Sequence, residues 1–303
     1  MRLTTFSIAL LAASTAISAP DALAQEASDA PMIAVMSAFE PEWQSLKAAV
    51  QDPQEETING NLFVTGTLEG QDVVLFLSGV SMVNAAMTTQ LALDHFDVSS
   101  IVFSGIAGGV DPELSIGDVV VADRWAEYLE AVFARETADG YELPSYAEEI
   151  FQNYGMMFPQ KVGVFADGHD GLEERFWFPV DGKLLDVARQ VAGSVELEDC
   201  NADKACLTQA PKIVVGGNGV SGMAFVDNAD FRQYVSDTFS AKVLDMESAA
   251  VAHVAYANGV PFIAFRSLSD LAGGGEGENE MGTFFSLASE NSARVVRAFL
   301  AAM

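Results

Sequence analysis

Carboxylates with the spacing of a ligand site lie in the segment Val243 to Asp270, VLDMESAAVAHVAYANGVPFIAFRSLSD. Glu247, two residues after Asp245, opens an alanine-rich stretch with helical spacing, and Asp270 follows an apolar run that begins at Val260. The pattern predicts a strand, a helix and a second strand, with carboxylates at the ends of both strands. Ligands of open α/β sheets bind at the carboxyl ends of strands. Glu247 and Asp270 are therefore candidates for ligand binding or proton transfer.

The same two residues also have a structural explanation. A Glu in the first turn of a helix is favoured by the helix macrodipole, and an Asp directly after a strand commonly caps the next element. Spacing alone favours this structural interpretation. The functional one needs support from more of the sequence.

The residues around both carboxylates supply that support, because they resemble the nucleoside phosphorylase superfamily, and within it the methylthioadenosine/S-adenosylhomocysteine nucleosidases. In those enzymes a Met-Glu pair at a helix start binds the ribose hydroxyls. The Asp of a Ser-Asp pair after the next strand protonates the purine. Met246-Glu247 and Ser269-Asp270 match these positions one for one. The resemblance implies that Met246 and Glu247 bind ribose and that Asp270 is the general acid.

Three further blocks carry the likeness: Met32 to Leu46, Ser78 to Arg124, and Gly219 to Asn228. In the first, SAFEPEW resembles a strand-exit segment whose last Glu is the general base, which implies that role for Glu42. In the third, VSGMAFVDN is similar to the block whose Phe stacks on the purine. This implies that Phe225 stacks on the base and that the backbone of Val226 reads the base edge.

Two residues depart from the adenosine-type nucleosidases. Ile106 stands where those enzymes usually carry a small hydroxyl residue, and Phe39 stands where they often have Met. We expect both side chains to reshape the substrate pocket near the nucleophile and the ribose. Gly105, in the glycine-rich centre, is expected to allow a close backbone approach. Arg266 is expected either to hold Asp270 or the neighbouring loop, or to form a simple structural ion pair.

The residue types fit hydrolysis of an N-ribosidic bond. The bond breaks with positive charge on the sugar and negative charge on the departing base, so one carboxylic acid must protonate the base. A carboxylate must deprotonate the attacking water, as in inverting glycosidases. The resemblance therefore implies a purine nucleoside N-ribosyl hydrolase that acts on adenosine-type substrates such as methylthioadenosine or S-adenosylhomocysteine.

Two alternatives stay open. A phosphate-dependent phosphorylase would need cations around phosphate, but the Met32 to Leu46 and Ser78 to Asn84 blocks contain no Arg, and Lys47 is the cation beside them. A non-catalytic nucleoside-binding or storage protein on the same fold is the other alternative, because SGIAGGVDP and DRWAEY also resemble plant bark storage proteins. Retention of all three carboxylates favours the enzyme.

Strands alternate with helices along most of the chain, which predicts an α/β fold. Met32 to Met36 is an apolar strand followed by Pro41, which suits the first turn of a helix. Gly105 to Gly109 is predicted to be a tight turn, and it lacks the G-x-G-x-x-G spacing of a dinucleotide site. Trp125 to Pro211 is less regular. Together with the resemblance, the pattern predicts a three-layer αβα sandwich with a mixed central sheet, nucleoside phosphorylase-like.

The N-terminus has the pattern of a secretory signal peptide, with Arg2, an apolar run from Phe6 to Ala19, and Ala22-Leu23-Ala24. We expect residues 1–24 to be removed and residues 25–303 to form a single nucleoside phosphorylase-like domain, periplasmic or secreted. The apolar run is too short to span a bilayer comfortably, so no membrane partner is expected after cleavage.

The chain is strongly acidic, with 43 Asp and Glu against 15 Lys and Arg and a net charge of −28. Such a surface repels nucleic acid and anionic membranes. The resemblance, rather than the charge, implies a small-molecule purine nucleoside as the partner. The resemblance also implies a homodimer that needs no cofactor.

The two cysteines, Cys200 and Cys206, lie in one polar stretch. In an exported chain such a pair most simply forms a disulfide. A metal site would need further ligands, and His95, His169 and His253 are scattered without ligand spacing. We therefore expect the disulfide and no bound metal.

Overall fold

A computed structural model describes residues 30–275 and 277–303. The predicted signal peptide, residues 1–24, lies outside the described residues, as does the rest of the segment before residue 30. Within the described residues the chain forms one twelve-stranded mixed sheet, three two-stranded sheets and six helices.

The strands are β1 Met32–Ser37, β2 Gln51–Ile58, β3 Asn61–Leu68, β4 Gln71–Leu77, β5 Val98–Gly109, β6 Val119–Val121, β7 Arg124–Glu127, β8 Ala131–Phe133, β9 Arg135–Thr137, β10 Gly140–Glu142, β11 Met157–Pro159, β12 Val162–Phe165, β13 Leu172–Arg175, β14 Phe178–Pro179, β15 Ile213–Val215, β16 Asn218–Ser221, β17 Ala241–Asp245 and β18 Phe262–Asp270. The helices are α1 Glu40–Ala49, α2 Met82–His95, α3 Gly182–Ala192, α4 Ala229–Phe239, α5 Ser248–Ala257 and α6 Met281–Ala302.

The main path of the large sheet has the order β14-β7-β16-β17-β5-β1-β4-β3-β2, and β18 pairs with both β5 and β6 off this path. Strands β4, β1, β5 and β18 run parallel to one another, whereas β17 pairs with β5 in the antiparallel direction. Every residue of β18 is buried. Its first four residues, Phe262 to Phe265, form a continuous apolar run, which is typical of a strand covered on both faces.

Five of the six helices of the described residues form two groups around the sheet, and α4 packs against β17. Helices α1 and α3 both contact α6, which packs on β5 and β18, while α2 contacts α5, which packs against β7, β14, β16 and β18. The Phe265 and Phe299 rings, 5.0 Å apart, join β18 to α6. Small residues of α5, such as Ala249 and Ala252, are buried and allow close packing. The predicted three-layer sandwich with a mixed sheet is confirmed.

One prediction about local structure was wrong. Gly105 to Gly109 does not form a turn, because β5 continues through these residues to Gly109. The segment pairs in parallel with β18 from Arg266↔Gly105 onward and then in the antiparallel direction with β17. Glycines are therefore used here inside a buried strand, where side chains of neighbouring strands need the space.

The region from Trp125 to Pro211 contains short strands, hairpins and α3. It also contains the Cys200–Cys206 disulfide, which confirms the predicted pairing. No helix within residues 30–275 and 277–303 is long and apolar enough to cross a membrane. Among these same residues, no group of three or more His, Cys, Asp or Glu is arranged to hold a metal ion.

Candidate active site

A cavity of about 250 Å³ opens where β1, β5, β16, β17 and β18 end. It is lined by Ala38, Phe39, Glu42, Val80, Ile106, Ala107, Gly108, Ala224, Phe225, Val226, Leu244, Asp245, Met246, Glu247, Ser269, Asp270 and Met281. The structure thus brings every predicted catalytic and substrate-binding residue into one cavity. A mostly apolar pocket with a few convergent polar groups is typical of a small-molecule site.

Glu42 lies in the first turn of α1, just after the end of β1, and is 2% exposed. One carboxylate oxygen, Oε2, accepts hydrogen bonds from the backbone N–H groups of Ala38 (2.6 Å) and Phe39 (3.3 Å). The other, Oε1, accepts from the Ile106 N–H at 2.8 Å. Burial raises the pKa of Glu42, while the charge of Arg266 and the three N–H donors lower it. The carboxylate is thus held in one orientation and made more basic by desolvation.

Arg266 is fully buried in β18 at the base of the cavity. Its Nε lies 2.7 Å from Oδ2 of Asp245 and donates to Oγ of Ser248 at 2.9 Å. Its terminal nitrogens lie 3.7 Å from Glu247 and 4.0 Å from Glu42, which are ion-pair distances rather than hydrogen bonds. One guanidinium therefore faces three carboxylates, and it does not contact Asp270. The expectation that Arg266 holds Asp270 was wrong, and the alternative of an ion pair describes the residue better.

Gly105 makes room for this guanidinium. It is the direct neighbour of Arg266 in the β5–β18 ladder. A Cβ at position 105 would lie 1.9 Å from Nη1 of Arg266 and 2.7 Å from Oε1 of Glu42. Only glycine leaves space for both charged groups.

Glu247 directly precedes α5 and is 5% exposed. Its Oε1 accepts a hydrogen bond from the backbone N–H of Ser81 at 2.7 Å, at the start of α2. Burial, followed by the negative charge of Asp245, raises the pKa of Glu247 to about 7, although Arg266 and the Ser81 N–H lower it. Near neutral pH this carboxyl can therefore both accept and donate hydrogen bonds.

Asp270 is the last residue of β18, lines the same cavity and is 3% exposed. Its Oδ1 accepts hydrogen bonds from the Ala272 N–H (2.8 Å) and from Nδ2 of Asn279 (3.4 Å). Its Oδ2 accepts from the Ser269 hydroxyl at 3.0 Å. Burial raises the pKa of Asp270 above its ordinary value, and the charge of Asp227 adds to this. Without a cation beside it, the carboxyl retains its proton to a higher pH than an exposed Asp.

The remaining predicted residues line the cavity between these carboxyls. Phe225 follows β16 and is 55% exposed, so its ring is available to a ligand. Val226 beside it is buried. Phe39 and Ile106 are partly buried near Glu42, and Met246 is partly buried beside Glu247.

Sequence reasoning missed several groups that shape the site. Asp245 binds Arg266 and accepts hydrogen bonds from the hydroxyls of Ser221 and Ser248, but it had been noted only as a neighbour of Glu247. The Ser81 N–H contacts Glu247 although 166 residues separate them. Asp245 could have been found from its position at the end of a strand. No local signal marks Ser221 or Ser81.

The cavity lacks cations. No Lys or Arg side chain is among the described residues that line it, and Arg266 is buried beneath its floor. Lys47 points elsewhere and pairs with Glu55 at 3.0 Å. Two buried carboxyls of raised pKa, held by different hydrogen bonds, could donate and accept protons around a neutral ligand.

The profile of the Phosphorylase superfamily matches residues 32–301. This chain belongs to the phosphorylase superfamily. It is 31% identical to a 5'-methylthioadenosine/S-adenosylhomocysteine nucleosidase of Lysinibacillus sphaericus, across 89% of this chain and 99% of the relative. It is 28% identical to bark storage protein B of Populus deltoides, across 71% of this chain and 70% of the relative.

A solved structure of another superfamily member has the same fold. It is the 5'-methylthioadenosine/S-adenosylhomocysteine nucleosidase of Colwellia psychrerythraea in complex with adenine. The TM-score is 0.68 at 25% identity, and the match covers 90% of this chain and 95% of that one. The resemblance inferred from four sequence blocks thus extends over nearly the whole of the described domain.

We predict that Gly105→Ala disrupts this superfamily site. The new Cβ must displace the Arg266 guanidinium, and overpacking of this kind costs about 1–3 kcal/mol. Thermal unfolding should show a lower midpoint, and titration should show weakened nucleoside binding. Gly282→Ala in α6 is the matched control, because nothing lies within 4 Å of its Cβ. Equal behaviour of the two variants would mean that Gly105 is not required for the position of Arg266.

Proposed function

We propose that this chain is a purine nucleoside N-ribosyl hydrolase for adenosine-type substrates such as methylthioadenosine or S-adenosylhomocysteine. The observation that carries the proposal is the placement of Glu42 and Asp270, two buried carboxyls, in one cavity lined by no described cation. The relatives that are nucleosidases, and the adenine held by one of them, support the substrate class.

Glu42 is the general base in this proposal. Three backbone N–H groups hold its carboxylate, and the nearby Arg266 charge favours the ionised form. The C–N bond to the purine breaks, its electron pair leaves with the base, and positive charge develops on the sugar. As this bond breaks, Glu42 removes a proton from water and the water oxygen forms the new bond to the anomeric carbon. A positioned proton transfer of this kind supplies about 10²–10⁴-fold in rate.

Asp270 is the general acid and delivers a proton to a ring nitrogen of the departing purine. This role needs a carboxyl that is protonated when substrate binds, and burial raises the pKa of Asp270 in the required direction. The Asp270 and Arg266 side chains share no contact, so the guanidinium does not favour the ionised form of the acid. The base and the acid thus have opposite electrostatic surroundings.

The proposal also assigns the substrate contacts to residues that line the cavity. Glu247, with Met246 beside it, binds the ribose hydroxyls through charge-assisted hydrogen bonds. The exposed Phe225 ring stacks on the base, and the backbone of Val226 reads its edge. The apolar side chains of Phe39 and Ile106 line the cavity beside Glu42 and pack against the 5′-thioether that both substrates share.

A nucleoside-binding or storage protein is the second candidate function, and the likeness to bark storage protein B favours it. Ile106 bears on this choice, since its apolar side chain lines the cavity at a position where the adenosine-type nucleosidases usually carry a small hydroxyl residue. A dry position beside Glu42 would slow attack by water. Turnover distinguishes this candidate from the hydrolase.

We predict hydrolysis in phosphate-free buffer. Purified protein incubated with methylthioadenosine, S-adenosylhomocysteine, adenosine and inosine should release free base and the free sugar or its 5′-substituted form. Added phosphate should not change the rate, because no described cation lines the cavity to bind it. Product analysis by chromatography and mass spectrometry checks this. A ribose 1-phosphate product would establish phosphorolysis, and tight binding without product would establish the storage function.

We predict that Asp270→Asn lowers kcat by at least about 10²-fold while nucleoside binding stays measurable. The amide preserves the shape of the side chain but cannot deliver a proton to the leaving base. Single-turnover kinetics and calorimetric binding separate the two effects. Near-native hydrolysis of a purine nucleoside by this variant would remove Asp270 from the acid role.

We also propose that the protein forms a homodimer through the surface between α2 and α5. Val83 and Met223 are 67% and 65% exposed there, beside a groove that both line. Val80, at the cavity mouth, is also exposed, so a second copy on this surface would help to close the cavity. Exposed apolar patches of this kind commonly mark protein interfaces.

We predict a dimer mass by light scattering and a monomer mass for Val83→Glu, because a buried charge at the interface opposes association. Phe133→Glu, at a position 66% exposed on β8, is the control and should remain dimeric. A monomeric wild-type protein would contradict the homodimer proposal.

For localisation, we propose export guided by residues 1–24, with Gln25 as the N-terminus of protein recovered from its native compartment.

A further inference from the structure

Asn279 links the loop between β18 and α6 to two carboxylates. Its Nδ2 donates hydrogen bonds to Oδ1 of Asp227 (3.1 Å) and Oδ1 of Asp270 (3.4 Å). Its Oδ1 accepts a hydrogen bond from the Met281 N–H (2.9 Å) at the start of α6. Because the amide oxygen is used by the helix, the amide NH₂ group must face the two carboxylates.

Glycines fix the position of this loop against α4. Gly273 has a φ of +88°, and a Cβ there would lie 2.3 Å from the backbone nitrogen of Asn228. A Cβ at Gly274 would lie 2.6 Å from the Arg232 guanidinium. The Asn228 N–H also donates to the Ala272 carbonyl at 3.1 Å. The start of the loop is thus packed directly on the segment that follows Phe225 and Val226.

The two oxygens of Asp270 have different surroundings. Oδ1 accepts from two N–H donors, Ala272 and Asn279, so a proton on this oxygen would face both of them. Oδ2 contacts the Ser269 hydroxyl, which can rotate to donate or accept. The acidic proton is therefore directed to Oδ2.

We infer that Asn279 is a positioning residue for the general acid. It holds Oδ1 of Asp270 so that Oδ2 presents the proton to the departing purine. Its second hydrogen bond links this orientation to Asp227, which directly follows the segment of Phe225 and Val226. The inference rests on the proposed function of Asp270 as the acid. Asn279 itself acts through Asp270.

Two neighbours act on the acidity of Asp270 in opposite directions. The hydrogen bond from Asn279 favours the ionised form and lowers the pKa of Asp270, whereas the charge of Asp227 raises it. The other charged groups of the cavity and its rim are Glu42 on α1, Asp245 and Glu247 at the end of β17, Arg232 on α4, and Glu278 and Glu280 on the loop itself. None of these changes when position 279 or 227 is substituted.

The test compares pH profiles of kcat/KM for Asn279→Ser and Asp227→Asn. A general acid must be protonated, so activity is lost as pH rises through its pKa, and this basic limb reports Asp270. Asn279→Ser retains an oxygen for the Met281 N–H but cannot reach Asp270. Its basic limb should move up by about 0.5–1 pH unit, because one donor to the carboxylate is lost. Asp227→Asn should move the limb down by about half a unit.

The acidic limb should stay in place in both variants, because Glu42 and Glu247 are untouched. Asp230→Asn, at an exposed position in the first turn of α4, makes the same charge change and should move neither limb. The pKa of Asp270 is also measured in the free protein by carboxyl NMR, with Asp270→Asn for assignment. Shifts of opposite sign in the two variants support the inference, and unchanged or same-direction shifts overturn it.

Because the NMR measurement needs no turnover, it distinguishes a failure of the proposed function from a failure of the positioning role of Asn279. If the wild-type protein hydrolyses no nucleoside, the proposed function fails, yet the NMR shifts still decide whether Asn279 controls Asp270. If the wild type is active and the NMR pKa of Asp270 is the same in both variants, only the positioning role is lost. Rescue by Asn279→Gln, which restores an amide donor, would further exclude a purely structural effect.

Discussion

The buried Arg266 guanidinium is the constraint on which the rest of the site depends. A charged group removed from water is costly unless opposite charges and hydrogen bonds surround it. Here Asp245 and Ser248 contact Nε, while Glu42 and Glu247 lie at ion-pair distance from the terminal nitrogens. The ring of Phe103 lies 3.8 Å from the guanidinium carbon, so one face of the cation is covered by an aromatic surface.

This single cation organises strands that are distant in sequence. Arg266 lies on β18 and its partners lie on α1, at the end of β17 and before α5, so the guanidinium joins four elements beside the cavity. The parallel register of β5 and β18 places Gly105 beside the guanidinium, where no side chain fits. The Arg266 guanidinium therefore requires glycine at position 105 of β5, and it lies at ion-pair distance from Glu42, the candidate base on α1.

Burial of the carboxylates around Arg266 also shapes the chemistry. Burial, with the negative charge of Asp245 adding to it, raises the pKa of Glu247 to about 7, and burial raises the pKa of Glu42 as well, although the Arg266 charge lowers both. Asp270 is outside this network, and its acidity is set by N–H donors, a hydroxyl and the nearby Asp227. One cavity thereby holds carboxyls in different electrostatic surroundings, which is the arrangement expected for a paired acid and base.

The sequence by itself determined the α/β fold class, strand β1, the strand–helix–strand order of β17, α5 and β18, and the pairing of Cys200 with Cys206. The roles assigned to Glu42, Glu247 and Asp270 came from short blocks that resemble one family. The strands and the helix follow from apolar runs and from helical spacing. Apolar runs and helical spacing can be recognised in a single sequence because their periods match the geometry of strands and helices.

Only the tertiary structure decided which groups surround each carboxylate. The Ile106 N–H meets Glu42 across 64 residues, and the Ser81 N–H meets Glu247 across 166. The glycines from Gly105 looked like a turn, because sequence alone does not show that Arg266 of the neighbouring strand occupies the space above them. Contacts between distant segments depend on strand register and packing, and no local spacing encodes either.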